Sequence, residues 1–72
     1  GIRVNCVAPG NIRTAMNAAV LAVPEYERGM IEETPLRRIG SVEEVAPAIV
    51  FLASEAAGYI SGQVISINGG MA

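Results

Sequence analysis

The chain has 72 residues, 51% of them hydrophobic, and a net charge of −2 from seven Glu and five Arg. That length allows at most one domain, and a chain near this size buries only about 60% of its unfolded surface. No basic stripe is present to meet nucleic acid, no apolar run approaches the length of about 18 residues that spans a bilayer, and no signal-peptide pattern is seen.

Ile2, Val4, Cys6 and Ala8 alternate with Arg3, Asn5 and Val7. Period two with β-branched residues predicts a strand over residues 2–8. Cys6 is expected buried there as a small hydrophobe. Pro9-Gly10 ends the strand, since Pro donates no backbone hydrogen bond and Gly permits a tight turn with close ligand approach. Residues 15–21 predict a short helix. Pro24 suits a helix start and residues 25–33 a polar, moderately amphipathic helix. Thr34-Pro35 ends it, because the residue before Pro is pushed out of the helical region.

Residues 36–40 read as a connector. Ser41 with Glu44 three positions later forms a capping box and opens a helix running to about residue 54. One apolar stripe is Val45, Ile49, Leu52 and Ala53; Ala48, Val50 and Phe51 make a second apolar side. A helix apolar nearly all round is buried on more than one side. Pro47 should bend it. Ala57-Gly58 breaks the helix. Residues 63–67 are a second strand, ended by Asn68-Gly69-Gly70. Strand, long helical crossover and strand point to parallel pairing.

The sequence contains no Lys, no His and no Asp, and one Cys. Most residues that move protons or activate nucleophiles are therefore missing. No catalytic residue and no metal ligand is expected in these 72 residues, and no internal disulfide can form. The composition fits a cytoplasmic protein. The chain opens Gly1-Ile2-Arg3-Val4 with a strand almost at once, which reads as a cut inside a longer polypeptide. Its apolar excess would then pack against the rest of a larger domain or another subunit.

The stretch Val7-Ala8-Pro9-Gly10-Asn11-Ile12-Arg13-Thr14 leaves the end of a strand, where open α/β sheets bind ligands. On spacing alone, an ordinary strand-ending turn is the favoured reading of Pro9-Gly10. The ordered set of motifs adds to that. Ile2-Arg3-Val4-Asn5-Cys6-Val7-Ala8-Pro9-Gly10 resembles the sixth strand of the classical short-chain dehydrogenase/reductase family. Asn11-Ile12-Arg13-Thr14-Ala15-Met16 resembles its nicotinamide-side loop. Pro35-Leu36-Arg37-Arg38-Ile39-Gly40 and Glu43-Glu44-Val45-Ala46 resemble the approach to its last long helix. Phe51-Leu52-Ala53-Ser54 and Tyr59-Ile60-Ser61-Gly62-Gln63 resemble that helix's end and the following turn. Ile67-Asn68-Gly69-Gly70 resembles the end of its seventh strand, where the family more often has Asp before the glycines.

The resemblance covers the chain in order and implies an α/β fold: the C-terminal strand–helix–strand part of a Rossmann-like, doubly wound parallel sheet. Residues 1–72 would be part of a single NAD(P)-binding domain, with no complete domain boundary inside them. The implied cofactor is NAD or NADP and the implied reaction is hydride transfer between nicotinamide and an alcohol or carbonyl substrate. The family's Gly-rich turn and Tyr-x-x-x-Lys pair are absent, so the segment is expected to be inactive alone. The implied cofactor-binding positions are Pro9, Gly10, Ile12 through its main chain, and Thr14 through its hydroxyl. Met16, Val20, Leu21, Val23 and Met30 fall where the family has a variable substrate lid, though Met fills cores as readily. Arg37-Arg38 is a phosphate or subunit contact, or a solvated pair. A homo-oligomer is expected through residues 42–54 and 63–67. Two alternatives stand beside this reading: a non-catalytic oligomerisation or interaction fragment, and an enoyl-reductase-like member of the same family.

Overall fold

The structure is a computed structural model and describes residues 1–71. Its elements are β1 (Cys6–Pro9), β2 (Ile12–Arg13), α1 (Ala18–Leu21), α2 (Pro24–Glu33), β3 (Gly40–Ser41), α3 (Val42–Ala53), a 3-10 turn (Glu55–Ala57) and β4 (Val64–Ile67). β1 and β4 pair in parallel, with Cys6 opposite Val64 and Pro9 opposite Ile67. A parallel pair needs a long connection, and the helices between the strands supply it.

The first strand is shorter at its start than residues 2–8 predict. Its ladder can begin only where β4 runs beside it, and β4 begins at Val64. Ahead of β1 the chain is held against the 60–63 turn instead. The Gly62 amide donates to the Val4 carbonyl at 2.7 Å. The Asn5 side chain accepts from the Gln63 amide at 3.0 Å and donates to the Ile60 carbonyl at 3.0 Å. At the other end, Pro9 is the last ladder residue rather than the stop. The amides of Cys6 and Gly10 donate toward β4, to Gln63 at 2.9 Å and Ile67 at 3.0 Å. Amides alternate sides along a strand, so the missing N–H of Pro9 falls on the side away from β4 and costs no bond there.

α3 starts at the expected capping box. The Ser41 amide donates to Glu44 Oε1 at 3.0 Å. Pro47 lies inside the helix, which continues through it to Ala53. The helix ends at Ser54, as expected: Ser54 turns extended and its hydroxyl donates to the Phe51 carbonyl at 2.6 Å. Arg3 reaches across from the start of the chain to this end. Its guanidinium donates to the Leu52 carbonyl at 2.8 Å and the Ser54 carbonyl at 3.2 Å. A cation there complements both the unpaired carbonyls and the negative end of the helix dipole.

Two expectations about burial are corrected. The half-buried stripe of α3 is Val45, Ala48 and Leu52, whereas Ile49 and Ala53 are exposed. Positions three and four apart share a helix face, so Ala48 belongs to the inner side and Ile49 lies at its rim. Cys6 is exposed rather than buried. The register puts Arg3, Asn5 and Val7 on the sheet face that meets α3, along a cleft they share with Ile49, Leu52 and Ala53. Cys6 lies on the opposite face with Val64 and Ser66, all three exposed. The face that reads as apolar in sequence is thus the one that nothing in residues 1–71 covers. The thinnest dimension, 14 Å, is that of one helical layer on one sheet. Among the described residues only Leu21, Ala57 and Thr34 are buried.

Candidate functional site

The loop leaving β1 is shaped first by contact with the end of β4. A Cβ on Gly10 would lie 2.6 Å from Asn68 Cβ and 2.9 Å from Asn68 Cα. The two strand ends touch there, so only Gly fits. Beyond it, Ile12 and Arg13 pair in parallel with Gly40 and Ser41, and the Gly40 amide donates to the Asn11 carbonyl at 3.0 Å. This short bridge ties the loop to the start of α3. The connector expected over residues 36–40 therefore ends in β3, and neither β2 nor β3 is predicted from sequence, since two residues carry no readable period.

Asn11 fixes the other side of the loop. Its Nδ2 donates to the Met30 carbonyl at 3.2 Å and lies 3.4 Å from Thr34 Oγ1. The buried Thr34 hydroxyl donates in turn to Met30 at 2.9 Å. Arg13 pairs with Glu27 of α2 at 2.9 Å. The helix expected over residues 15–21 is cut to Ala18–Leu21, because Thr14 and Asn17 close a turn ahead of it. The Thr14 amide donates to Asn17 Oδ1 at 2.8 Å, the Asn17 amide donates to Thr14 Oγ1 at 3.3 Å, and Asn17 Nδ2 donates to the Ile12 carbonyl at 2.7 Å.

The four residues singled out by sequence therefore fall on one loop with distinct surroundings. Pro9 is exposed at the end of β1, Gly10 is pressed on Asn68, and Ile12 and Thr14 are half-buried. Ile12 also faces an open groove shared with Asn68, Gly69, Leu36, Arg38 and Glu44. Pro9, Gly10 and Thr14 do not line that groove. Sequence reasoning missed Asn17 and Asn11. For Asn17 a signal existed, since Thr and Asn three apart before a helix is a side-chain-to-backbone capping pattern.

At the groove's rim the Arg38 guanidinium meets Glu44 in a two-pronged pair at 2.7 and 2.6 Å. That pair, and then the Ser41 amide, hold the Glu44 carboxyl down from 4.5 to about 2. A carboxyl with a depressed folded-state pKa stabilises the fold above its unfolded pKa, and that contribution is lost as pH falls through the folded value. Arg38→Gln should therefore lower the urea midpoint at pH 7. The gap from wild type should narrow as the pH drops from about 5 toward 3, and shrink in high salt because both groups are solvent-facing. A gap that is constant with pH would show that the pair carries no such linkage. The solvated-pair reading of Arg37-Arg38 holds, since both residues are exposed; Arg37 donates to the Glu32 carbonyl at 3.2 Å and Arg38 is ion-paired at the surface.

A family model described as Enoyl-(Acyl carrier protein) reductase matches residues 1–72, and the chain belongs to this family, a branch of the short-chain dehydrogenases/reductases. It is 49% identical to the protein FixR of Bradyrhizobium diazoefficiens over 70 residues, covering 97% of this chain and 23% of that protein. It is 45% identical to the 7alpha-hydroxysteroid dehydrogenase of Escherichia coli strain K12, covering 96% and 27%. It is 48% identical to the 3-oxoacyl-[acyl-carrier-protein] reductase FabG of Buchnera aphidicola, covering 99% and 28%. The chain thus spans about a quarter of the length of the curated relatives it matches. A solved structure from Agrobacterium tumefaciens with bound NADP superposes with a TM-score of 0.91 at 40% identity, covering 97% of this chain and 28% of that one. A 4-hydroxyisoleucine dehydrogenase complexed with NADH superposes at 0.90 with 29% identity, covering 96% and 28%. The fold is accordingly the Rossmann-like α/β fold of these dehydrogenases, and the two ligands make a nicotinamide cofactor a feature of the family. Among the described residues no helix is long and apolar enough to cross a membrane.

Proposed function

We propose that residues 1–72 form the C-terminal strand–helix–strand part of one NAD(P)-binding domain in an oxidoreductase that moves hydride between nicotinamide and an alcohol or carbonyl carbon. The observation that carries this reading is the loop at the carboxyl end of β1. There the Ile12 main chain and the Thr14 hydroxyl, both uncharged, lie at the sheet edge where open α/β folds take their ligands. An amide-bearing ring is recognised by such groups without charge. The donor set fits. The Thr14 oxygen accepts from the Asn17 amide, which leaves its proton free to donate. The Ile12 carbonyl accepts one hydrogen bond from Asn17, which leaves a second lone pair.

When bound, the cofactor supplies or accepts the hydride. In this reading Pro9, Gly10, Ile12 and Thr14 orient its nicotinamide half, and the residues that handle the proton lie elsewhere in the protein, since this chain has no Lys or His. The segment over α1 and α2 covers the substrate, a small molecule. A second reading, reduction of a carbon–carbon double bond on an acyl chain, is favoured by the description of the matching family model. It keeps the same cofactor loop.

Thr14→Val in the full-length protein should weaken NADH or NADPH binding by about 0.5–1.5 kcal/mol, the net worth of one hydrogen bond. Fluorescence titration of the reduced cofactor measures this. An unchanged affinity in a folded variant refutes the assignment of the loop, and a full-length protein that binds neither cofactor leaves the interaction-fragment reading in its place.

A further inference from the structure

We infer that Asn17 is a positioning residue for the cofactor loop, acting through the Ile12 carbonyl rather than only through the turn it closes with Thr14; this rests on the loop being the nicotinamide-side wall. The Asn17 side chain spans the loop. Its Nδ2 donates to the Ile12 carbonyl at 2.7 Å and its Oδ1 accepts from the Thr14 amide at 2.8 Å. The carboxamide orientation is dictated, because exchanging its O and N would set two acceptors against each other at Ile12 and two donors at Thr14. The two bonded groups flank Arg13, so one short, half-buried side chain fixes the peptide planes on both sides of it. The Asn17 amide adds a third tie, to Thr14 Oγ1 at 3.3 Å, and so sets which way the Thr14 hydroxyl can donate.

Each function of Asn17 has its own chemistry. Closing the turn ahead of α1 needs only an acceptor for the Thr14 N–H, which Asp supplies as well as Asn. Holding the Ile12 carbonyl needs a donor. A carboxylate has none, and would face that carbonyl with like partial charge. Asp at this position therefore keeps the bond from the Thr14 amide and breaks the clamp on Ile12, while Ala breaks both.

The test compares Asn17→Asp, Asn17→Ala and Thr14→Val in the full-length protein. Thermal unfolding is followed with titration of NADH or NADPH, whichever the wild type binds, and of ADP-ribose, which lacks the nicotinamide ring. Asn17→Asp should lower the melting temperature less than Asn17→Ala at neutral pH, since it keeps the bond from the Thr14 amide, and should weaken the reduced cofactor about three- to tenfold, the range of one hydrogen bond. Its affinity for ADP-ribose should not change. Asn17→Ala should lose both melting temperature and cofactor affinity; if it fails to fold, Asn17→Asp alone decides. Wild-type cofactor affinity in Asn17→Asp, with Thr14→Val weakened, overturns the role of Asn17 and leaves the loop assignment standing. Wild-type affinity in both Asn17→Asp and Thr14→Val overturns the loop assignment itself, and this inference with it.

Discussion

Gly10→Ala should destabilise the full-length protein by about 1–3 kcal/mol, the usual cost of forcing an extra methyl into a packed site. The atoms it would meet are Cβ and Cα of Asn68, at 2.6 and 2.9 Å. Neither is the end of a flexible side chain, so the strand ends themselves must part. That movement strains the Gly10-to-Ile67 bond at 3.0 Å and shifts the start of the loop. Gly29→Ala supplies the control. A Cβ there meets nothing within 4 Å, and Ala in place of Gly inside an exposed helix stabilises by up to about 1 kcal/mol. Urea unfolding of the two variants should therefore move in opposite directions. Equal midpoints for Gly10→Ala and wild type would mean that the β1–β4 contact is looser than described.

We propose that the full-length protein is a homo-oligomer through α3 and β4; Phe51→Glu should then lower its mass in light scattering. On α3, Val45, Ala48 and Leu52 are half-buried, while Val50 is 68% and Phe51 46% exposed. Val64 and Ile65 of β4 are exposed as well. Apolar side chains of this size, on one helix and one strand edge, are the features a self-complementary twofold contact buries together. A charge placed without a partner in such a contact costs several kcal/mol, enough to abolish a dimer of ordinary strength. A folded variant with wild-type mass would mean that this side of α3 is covered within its own subunit.

How much the sequence reveals differs from element to element. The capping box at Ser41 and Glu44 is local chemistry, and it opens α3 where expected. The parallel pairing of β1 with β4 follows from the order of elements. The exposure of Cys6 is not legible in the sequence for a definite reason: alternation tells which residues share a face, not whether a layer lies upon it. The ordered motifs point to the right family; Gly10 reads in the sequence as room for a ligand, and in the structure it is packed on Asn68. The β2–β3 bridge and the Asn11 bonds to Met30 and Thr34 depend on residues 19 to 28 positions apart, which no local pattern encodes. The Thr14–Asn17 turn is within reach of a local side-chain-to-backbone argument; the bond to Ile12 is not, because it depends on how the loop doubles back.

The pairing of Cys6 with Val64, 58 positions on, governs the order in which the molecule can assemble. Closing a loop of that length costs about 3–4 kcal/mol of chain entropy, apart from a constant, and four paired residues give little in return until a cover is in place. α3 carries its own cap and can form within its own turns. The β1–β4 ladder has to wait until distant parts of the chain meet, so the loop that follows β1 acquires its shape only after the last strand has arrived. On the ribosome, the stretch from Pro9 to Thr14 leaves the tunnel long before the residue against which Gly10 must rest has been synthesised.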